Sequence, residues 1–263
     1  MDTEKRRTGI VIAAIFAISF LVVMPASAHY PGAEINCPKT TLAPTIDGVF
    51  SPIEWDDASE TTVEFRFLTD ENLTGMFYTK YDSTNLYIAL VINDPGDAEP
   101  ADLFYLEFDE GHTGTLSNGD SGVAVPGIGI CYRDFWYNES DVFWKDDTTD
   151  TCDFLFAATI DNDTHVWELA IPFDIVDMQD LDITPTPGKT IGLNLQYGDV
   201  NLLTFDDWPD ERVQDDRPYT DPSLWANLTF GVAAAPTLTP IGLIALVSLL
   251  SAIAAVAIVR KRR

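Results

Sequence analysis

The sequence predicts an all-β protein, a single β-sandwich of about nine strands carried between two terminal segments of different character. Three observations lead there. Short runs of alternating or β-branched and aromatic residues are broken at intervals by Asp, Asn, Gly and Pro; no helical period lasts beyond a turn or two; and no repeat or second composition regime divides the middle of the chain.

Taken in order, the elements begin with Lys5, Arg6 and Arg7 ahead of an apolar run from Ile10 to Met24 and the small residues of Pro25 to Ala28. Residues 1–28 therefore read as a signal peptide, with the exported chain starting at His29. Residues 29–44 form an N-terminal lead and residues 45–231 the folded domain. Asp47-Gly48 suits a turn, and Trp55, set among Asp and Glu residues, needs an apolar place for its ring, which makes it structural. "TTVEFRF" (Thr61 to Phe67) alternates as a half-buried strand should. "MFYTKY" and "LYIALVIND" flank Asp82 to Asn85 as a hairpin. "LFYLEFD" (Leu103 to Asp109) and "GIGICYRDFWY" (Gly127 to Tyr137) follow. "DFLFAATI" and "HVWELAIPF" flank Asp161 to Thr164 as a second hairpin, and "TIGLNLQYGD" and "WANLTFG" close the series. Pro172 to Met178 is the best helical candidate. Residues 232–240 read as a linker. Ile241 to Val259 is a run of 19 uncharged residues, long enough to span a bilayer, and the basic tail 260–263 should stay cytoplasmic. The domain between is expected outside the cell.

Charge narrows the partners. Between the termini stand 40 acidic and 8 basic residues, a net of −32. That field repels phosphate backbones and excludes nucleic acid as a partner. It also strains the compact state unless salt or bound cations screen it, so salt adaptation and calcium binding both follow. The content of Phe, Tyr, Trp, Ile, Leu and Val is sufficient for a core, which sets the chain apart from disordered acidic segments.

The three cysteines, Cys37, Cys131 and Cys152, lie in the exported region, where disulfides persist. Cys131 with Cys152 is the favoured pair because their segments are neighbours along the chain, although all three pairings are open. Asn72, Asn138, Asn162 and Asn227 each begin an Asn-x-Ser/Thr sequon and are candidate glycosylation sites. Catalytic signals are poor. "GDSG" (Gly119 to Gly122) lacks a suitable upstream His, carboxylate pairs are too abundant to carry information, and neither HExxH, paired-cysteine zinc spacing nor a phosphate loop is present.

The strings "TIDGVFSPIEW", "DSTNLYIALVINDP", "LFYLEFDEG", "VWELAIPF", "IGLNLQYGDVN" and "YTDPSLWANLTFG" occur in an order and spacing that resembles the family 9 carbohydrate-binding modules, a DOMON-like β-sandwich family. The resemblance covers Thr45 to Gly231 and implies a non-catalytic surface protein that binds glycan or another cell-envelope ligand. In sugar-binding members a terminal sugar lies between two aromatic rings. One comes from the loop before "LFYLEFD", where this chain has "GDAEPAD" and no aromatic; the other corresponds to Tyr219. A polar Arg of the family matches Arg133. Half of the clamp remains, and Trp136, Tyr137, Trp144 and Trp208 are the candidates to replace the missing ring. The family also carries calcium, for which Asp94, Asp97 and Asp109 are candidate ligands, beside Glu110 and the Asp206 to Glu211 cluster. Two other readings stand beside sugar binding: a haem b electron-transfer domain of the DOMON-like type, with ligands drawn from Met76, Met178, Lys80, His112 and His165, and a purely structural envelope protein. The C-terminal pattern resembles the sorting tails of archaeal and some bacterial surface proteins without their Pro-Gly-Phe or Pro-Glu-Phe triplet, which implies a retained membrane anchor and, with the acidity and sequons, a salt-adapted archaeal source.

Overall fold

The computed structural model describes residues 33–66, 72–94, 99–127, 133–141, 143–146, 154–161, 163–173, 183–199, 204–209 and 221–231. They form thirteen strands: β1 (Glu34–Cys37), β2 (Ser59–Arg66), β3 (Asn72–Tyr81), β4 (Asn85–Asn93), β5 (Leu103–Asp109), β6 (Ser121–Pro126), β7 (Arg133–Asn138), β8 (Phe143–Asp146), β9 (Leu155–Asp161), β10 (Thr164–Pro172), β11 (Thr190–Asp199), β12 (Thr204–Trp208) and β13 (Ala226–Phe230). Two sheets result. The larger, of eight strands, runs β1-β13-β11-β5-β6-β7-β8, with β12 also paired to β11, and the smaller, of five, runs β2-β3-β4-β10-β9. This is the predicted sandwich. It has more strands than the sequence announces because β1 lies in the lead, β6 is built of small residues and β8 and β12 are short edge pieces.

The hairpin at Asp82 shows how locally the chain is instructed. Asp82 Oδ1 accepts from the backbone N–H groups of Thr84 and Asn85 at 2.6 and 2.9 Å, which closes the turn and sets the β3–β4 register. Alternation then sorts side chains. Leu86, Ile88, Leu90 and Ile92 of β4 face Phe104, Leu106, Phe108, Leu193, Leu195 and Tyr197 of the large sheet in one core.

A second, smaller cluster sits on the outside of the small sheet: Trp55, Tyr87, Ala89 and Ala170, with Ile46, Phe50, Ala58 and Tyr78 against them. The segment after the Asp47-Gly48 turn folds over β3, β4 and β10, and Trp55 is 3% exposed at its centre. Gly48 adopts φ 78° and its amide donates to Glu168 Oε2 at 2.9 Å, a conformation and approach that suit glycine alone. Beneath the cap the fully buried Lys80 donates to the carbonyls of Leu42 and Glu54 and to Asp57, and its ammonium lies 5.4 Å from the centroid of the Trp55 ring.

Pro172 ends β10, Phe173 donates its N–H to the Thr84 carbonyl at 2.9 Å, and residues 174–178 of the helical candidate lie outside the described residues. Among the described residues no helix is long and apolar enough to cross a membrane. Residues 1–28 and 241–259 lie outside them.

Candidate functional site

The outer face of the large sheet carries a row of residues in register across five strands: Asp207 on β12, Gln196 on β11, Tyr105 on β5, Ala124 on β6 and Arg133 on β7. One step along lie Asn194, Glu107, Gly122 and Phe135. Polar groups at one end are tied together. Asn194 Nδ2 donates to Glu107 Oε2 at 2.7 Å and to Asp207 Oδ1 at 2.9 Å, and Gln196 Nε2 donates to the same Asp207 oxygen at 3.0 Å. Burial raises the Glu107 carboxyl to about 8, opposed by the Asn194 hydrogen bond and reinforced by the nearby Asp207 charge.

Aromatic rings frame this row. Phe205 is 51% exposed and meets Tyr105 edge to face at 5.8 Å between centroids. At the other end Trp144 packs edge-on against Phe135 and Tyr137 at 5.1 and 5.5 Å. Glycine makes both ring positions possible: a Cβ on Gly198 would overlap the Phe205 ring, and one on Gly122 would overlap Phe135. The result is a platform of ring surface beside side-chain amides and carboxylates. Ring faces match the C–H faces of a pyranose, and the amides and carboxylates can exchange hydrogen bonds with hydroxyls.

The structure treats the predicted ligand residues differently. Arg133 takes its place in the row by register. Trp136 has the opposite strand parity to Phe135 and Tyr137, is paired with Ser121, and is half-buried. Trp208 packs against the main core, because positions 206 and 208 of β12 face inward while 205 and 207 face out. The accessible ring on β12 is therefore Phe205. Tyr219 lies outside the described residues. Tyr105, Gln196 and Phe205 escaped notice in the sequence, and Asp207 drew notice only as part of the Asp206 to Glu211 cluster, although the alternation of "LFYLEFD", "NLQYGD" and "TFDDW" carries them on one face.

Residues 46–231 match the family model described as "Carbohydrate family 9 binding domain-like". The chain belongs to that family. Solved structures similar to this family 9 domain include a family 9 carbohydrate-binding module from Caldicellulosiruptor kristjanssonii in complex with cellotriose, at 17% identity and TM-score 0.55, covering 79% of this chain and 98% of that one. The same organism's module with glucose matches at 16% identity and TM-score 0.55, covering 79% and 100%. A Bacteroides uniformis protein matches at 10% identity and TM-score 0.54, covering 75% and 99%. At such identities the likeness establishes the fold. The search of curated proteins finds no match.

Of the calcium ligands read from the family 9 resemblance, Asp94 and Asp109 are among the described residues. Asp109 spends its two oxygens on the N–H groups of Thr113 and Gly114 at 3.1 and 2.7 Å, fixing the turn after β5. Asp97 lies outside the described residues. Asp94 is grouped instead with Asp102 and His165, and an imidazole nitrogen is not a calcium ligand. Burial pushes the Asp94 carboxyl up, the Tyr197 hydroxyl opposes the rise, and Asp199 and Asp102 add to it.

Other sequence candidates are also sorted by the fold. Asn72 is exposed on β3, and Asn138 accepts from Ser140 and Asp141 in the turn after β7. Asn227 is 3% exposed, and its amide nitrogen donates to Glu34 at 2.6 Å. Asn162, Cys131 and Cys152 lie outside the described residues, and Cys37 is a buried free thiol that burial holds well above its ordinary pKa. Of the haem ligand candidates, Lys80 is committed beneath the cap, His112 Nε2 bonds Asn227 Oδ1 at 2.7 Å, and Met178 lies outside the described residues. Ser121 of the "GDSG" string donates its hydroxyl to Glu110 Oε1 at 2.7 Å.

Proposed function

We propose that this chain is a non-catalytic cell-surface protein whose family 9 domain binds carbohydrate weakly on the outer face of its large sheet. One observation carries the reading: the row from Asp207 through Gln196 and Tyr105 to Arg133, with the exposed Phe205 ring beside it. The neighbouring structures that hold cellotriose and glucose support glucose-type sugars as the first class to test. Arg133 would give a charge-assisted hydrogen bond to a hydroxyl or ring oxygen, and Tyr219 the second stacking surface. Residues 1–28 would direct export and residues 241–259 would tether the domain to the membrane, leaving the sugar face outward from the cell.

Native affinity electrophoresis tests this reading. Migration should be retarded in gels containing soluble β-glucan and restored by free cello-oligosaccharide. Unchanged mobility in a panel of neutral and acidic polysaccharides would leave the structural envelope role in its place.

A further inference from the structure

Where β4 hands over to β5, the sandwich buries two carboxylates and an imidazole close together. Asp94 follows β4, Asp102 precedes β5, and His165 is the second residue of β10, paired with Ile92. Asp102 and His165 are fully buried and Asp94 is 4% exposed. One potential ligand atom from each lies within 4.8 Å of the others.

The imidazole is the unusual member. It stacks on Trp167 at 4.8 Å and 8° between planes, and the edge of Tyr197 stands 6.3 Å away. Its Nε2 is 3.2 Å from Asp102 Oδ2, close enough for an ion pair, yet neither ring nitrogen has a hydrogen-bond partner of acceptable geometry. A buried polar group left so destabilises the fold unless a partner supplies the missing bond. Around it the charge is negative. Tyr197 Oη lies 3.1 Å from Asp94 Oδ2 and 3.3 Å from Asp102 Oδ2, but its one proton can serve only one of them at a time, and the buried Asp199 stands nearby. Two carboxylates gathered this closely in a buried place, beside an imidazole whose nitrogens have no hydrogen bond, are a donor set that a cation would hold together.

We propose that Asp94, Asp102 and His165 bind a divalent transition metal of the zinc class. Two carboxylate oxygens and one imidazole nitrogen form a mixed set that zinc accepts at about 2 Å and calcium, which takes oxygen alone, does not. A cation there would give His165 the partner it lacks and cancel the repulsion between the two carboxylates. Its structural effect would fall on the turn before β5. Asp102 Oδ2 already accepts from Glu99 N at 2.9 Å, and its carbonyl accepts from Gly127 N at 2.8 Å. The metal would pin that turn to β10. Gly127 belongs to the arrangement, since a Cβ there would stand 3.2 Å from His165 Nδ1. The inference does not depend on the sugar reading.

The test uses the full chain without a histidine tag, stripped with chelator and then dialysed with Zn²⁺ or Ca²⁺ alone. Zinc should be retained near one ion per chain and should raise the melting temperature, while the same concentration of calcium should not displace it. His165→Gln should weaken zinc binding by at least the roughly 10- to 100-fold that losing a mere supporting contact costs. Should that variant fold poorly, the Co²⁺ form of the parent decides: paramagnetically shifted imidazole ring protons must appear, and must survive replacement of His29 and His112. Retention of calcium but not zinc, retention of neither, or equal zinc affinity in His165→Gln and parent would each overturn the proposal.

Discussion

Trp55 Nε1 donates a hydrogen bond to Glu168 Oε1 at 3.0 Å, across 113 residues of sequence and from outside the five-stranded sheet. The other Glu168 oxygen accepts from the amides of Asp47 and Gly48 at 3.1 and 2.9 Å. One carboxylate on β10 thus fixes both the turn and the indole of the covering segment, and the ring roofs the buried Lys80. Trp55→Ala should therefore cost about 3–5 kcal/mol in urea unfolding, through lost packing and an orphaned carboxylate oxygen. Trp55→Phe should cost less. An alanine variant with the parent's midpoint would show the cap to be dispensable.

Glu107 gives a pH signature. Burial raises its carboxyl from the ordinary 4.5 to about 8 in the folded chain. Between those values the folded state holds a proton the unfolded state has released, so stability falls as pH rises. The contribution is complete below pH 4.5 and is lost by the time pH passes about 8. Glu107→Gln keeps an acceptor for Asn194 and removes the titration. Its denaturation midpoint should change less than the parent's between pH 5 and 8, and identical pH profiles would show that Glu107 titrates normally.

Gly198 should matter to the ligand face more than to the fold. Gly198→Ala puts a methyl where the Phe205 ring lies, and the half-exposed ring must swing away. Sugar affinity should drop several-fold while the melting temperature moves little, because little ring area is buried there. Undiminished affinity in the alanine variant would remove Phe205 from the site.

The acidity of the domain should appear as salt dependence. With 40 carboxylates against 8 basic groups between the termini, screening relieves self-repulsion. Melting temperature should climb from low to molar salt, at about 2–4 °C for each kcal/mol gained in a domain of this size. A flat response would show that the charges are already compensated in the folded chain.

The sandwich was legible because its signals are local. Asp82 announces a turn by side-chain chemistry, and the alternation in "TTVEFRF" puts Val63 and Phe65 on the core face before any partner strand is known. Trp55 could be read as buried, but not what buries it, since Glu168 is remote in sequence. The site was harder to see for the same reason. Tyr105, Gln196, Phe205 and Asp207 become neighbours only through the β5–β11–β12 register, and "TFDDW" reads as an acidic loop until β11 pairs with it. Trp208 drew attention by residue type, while parity turned it inward and left Phe205 outside. The Asp94, Asp102 and His165 cluster was likewise invisible, because its members come from three separate segments.

The central claim is that the outer face of the large sheet binds sugar, and isothermal titration of the parent, Phe205→Ala, Arg133→Ala and Tyr219→Ala with glucose and cello-oligosaccharides tests it most directly. With no aromatic in the "GDAEPAD" loop before β5, the parent should bind with a dissociation constant nearer millimolar than micromolar, about 4–6 kcal/mol. Each substitution should weaken that binding at least several-fold with little change in melting temperature. Binding of equal strength in all four proteins, or none in the parent, would contradict the account.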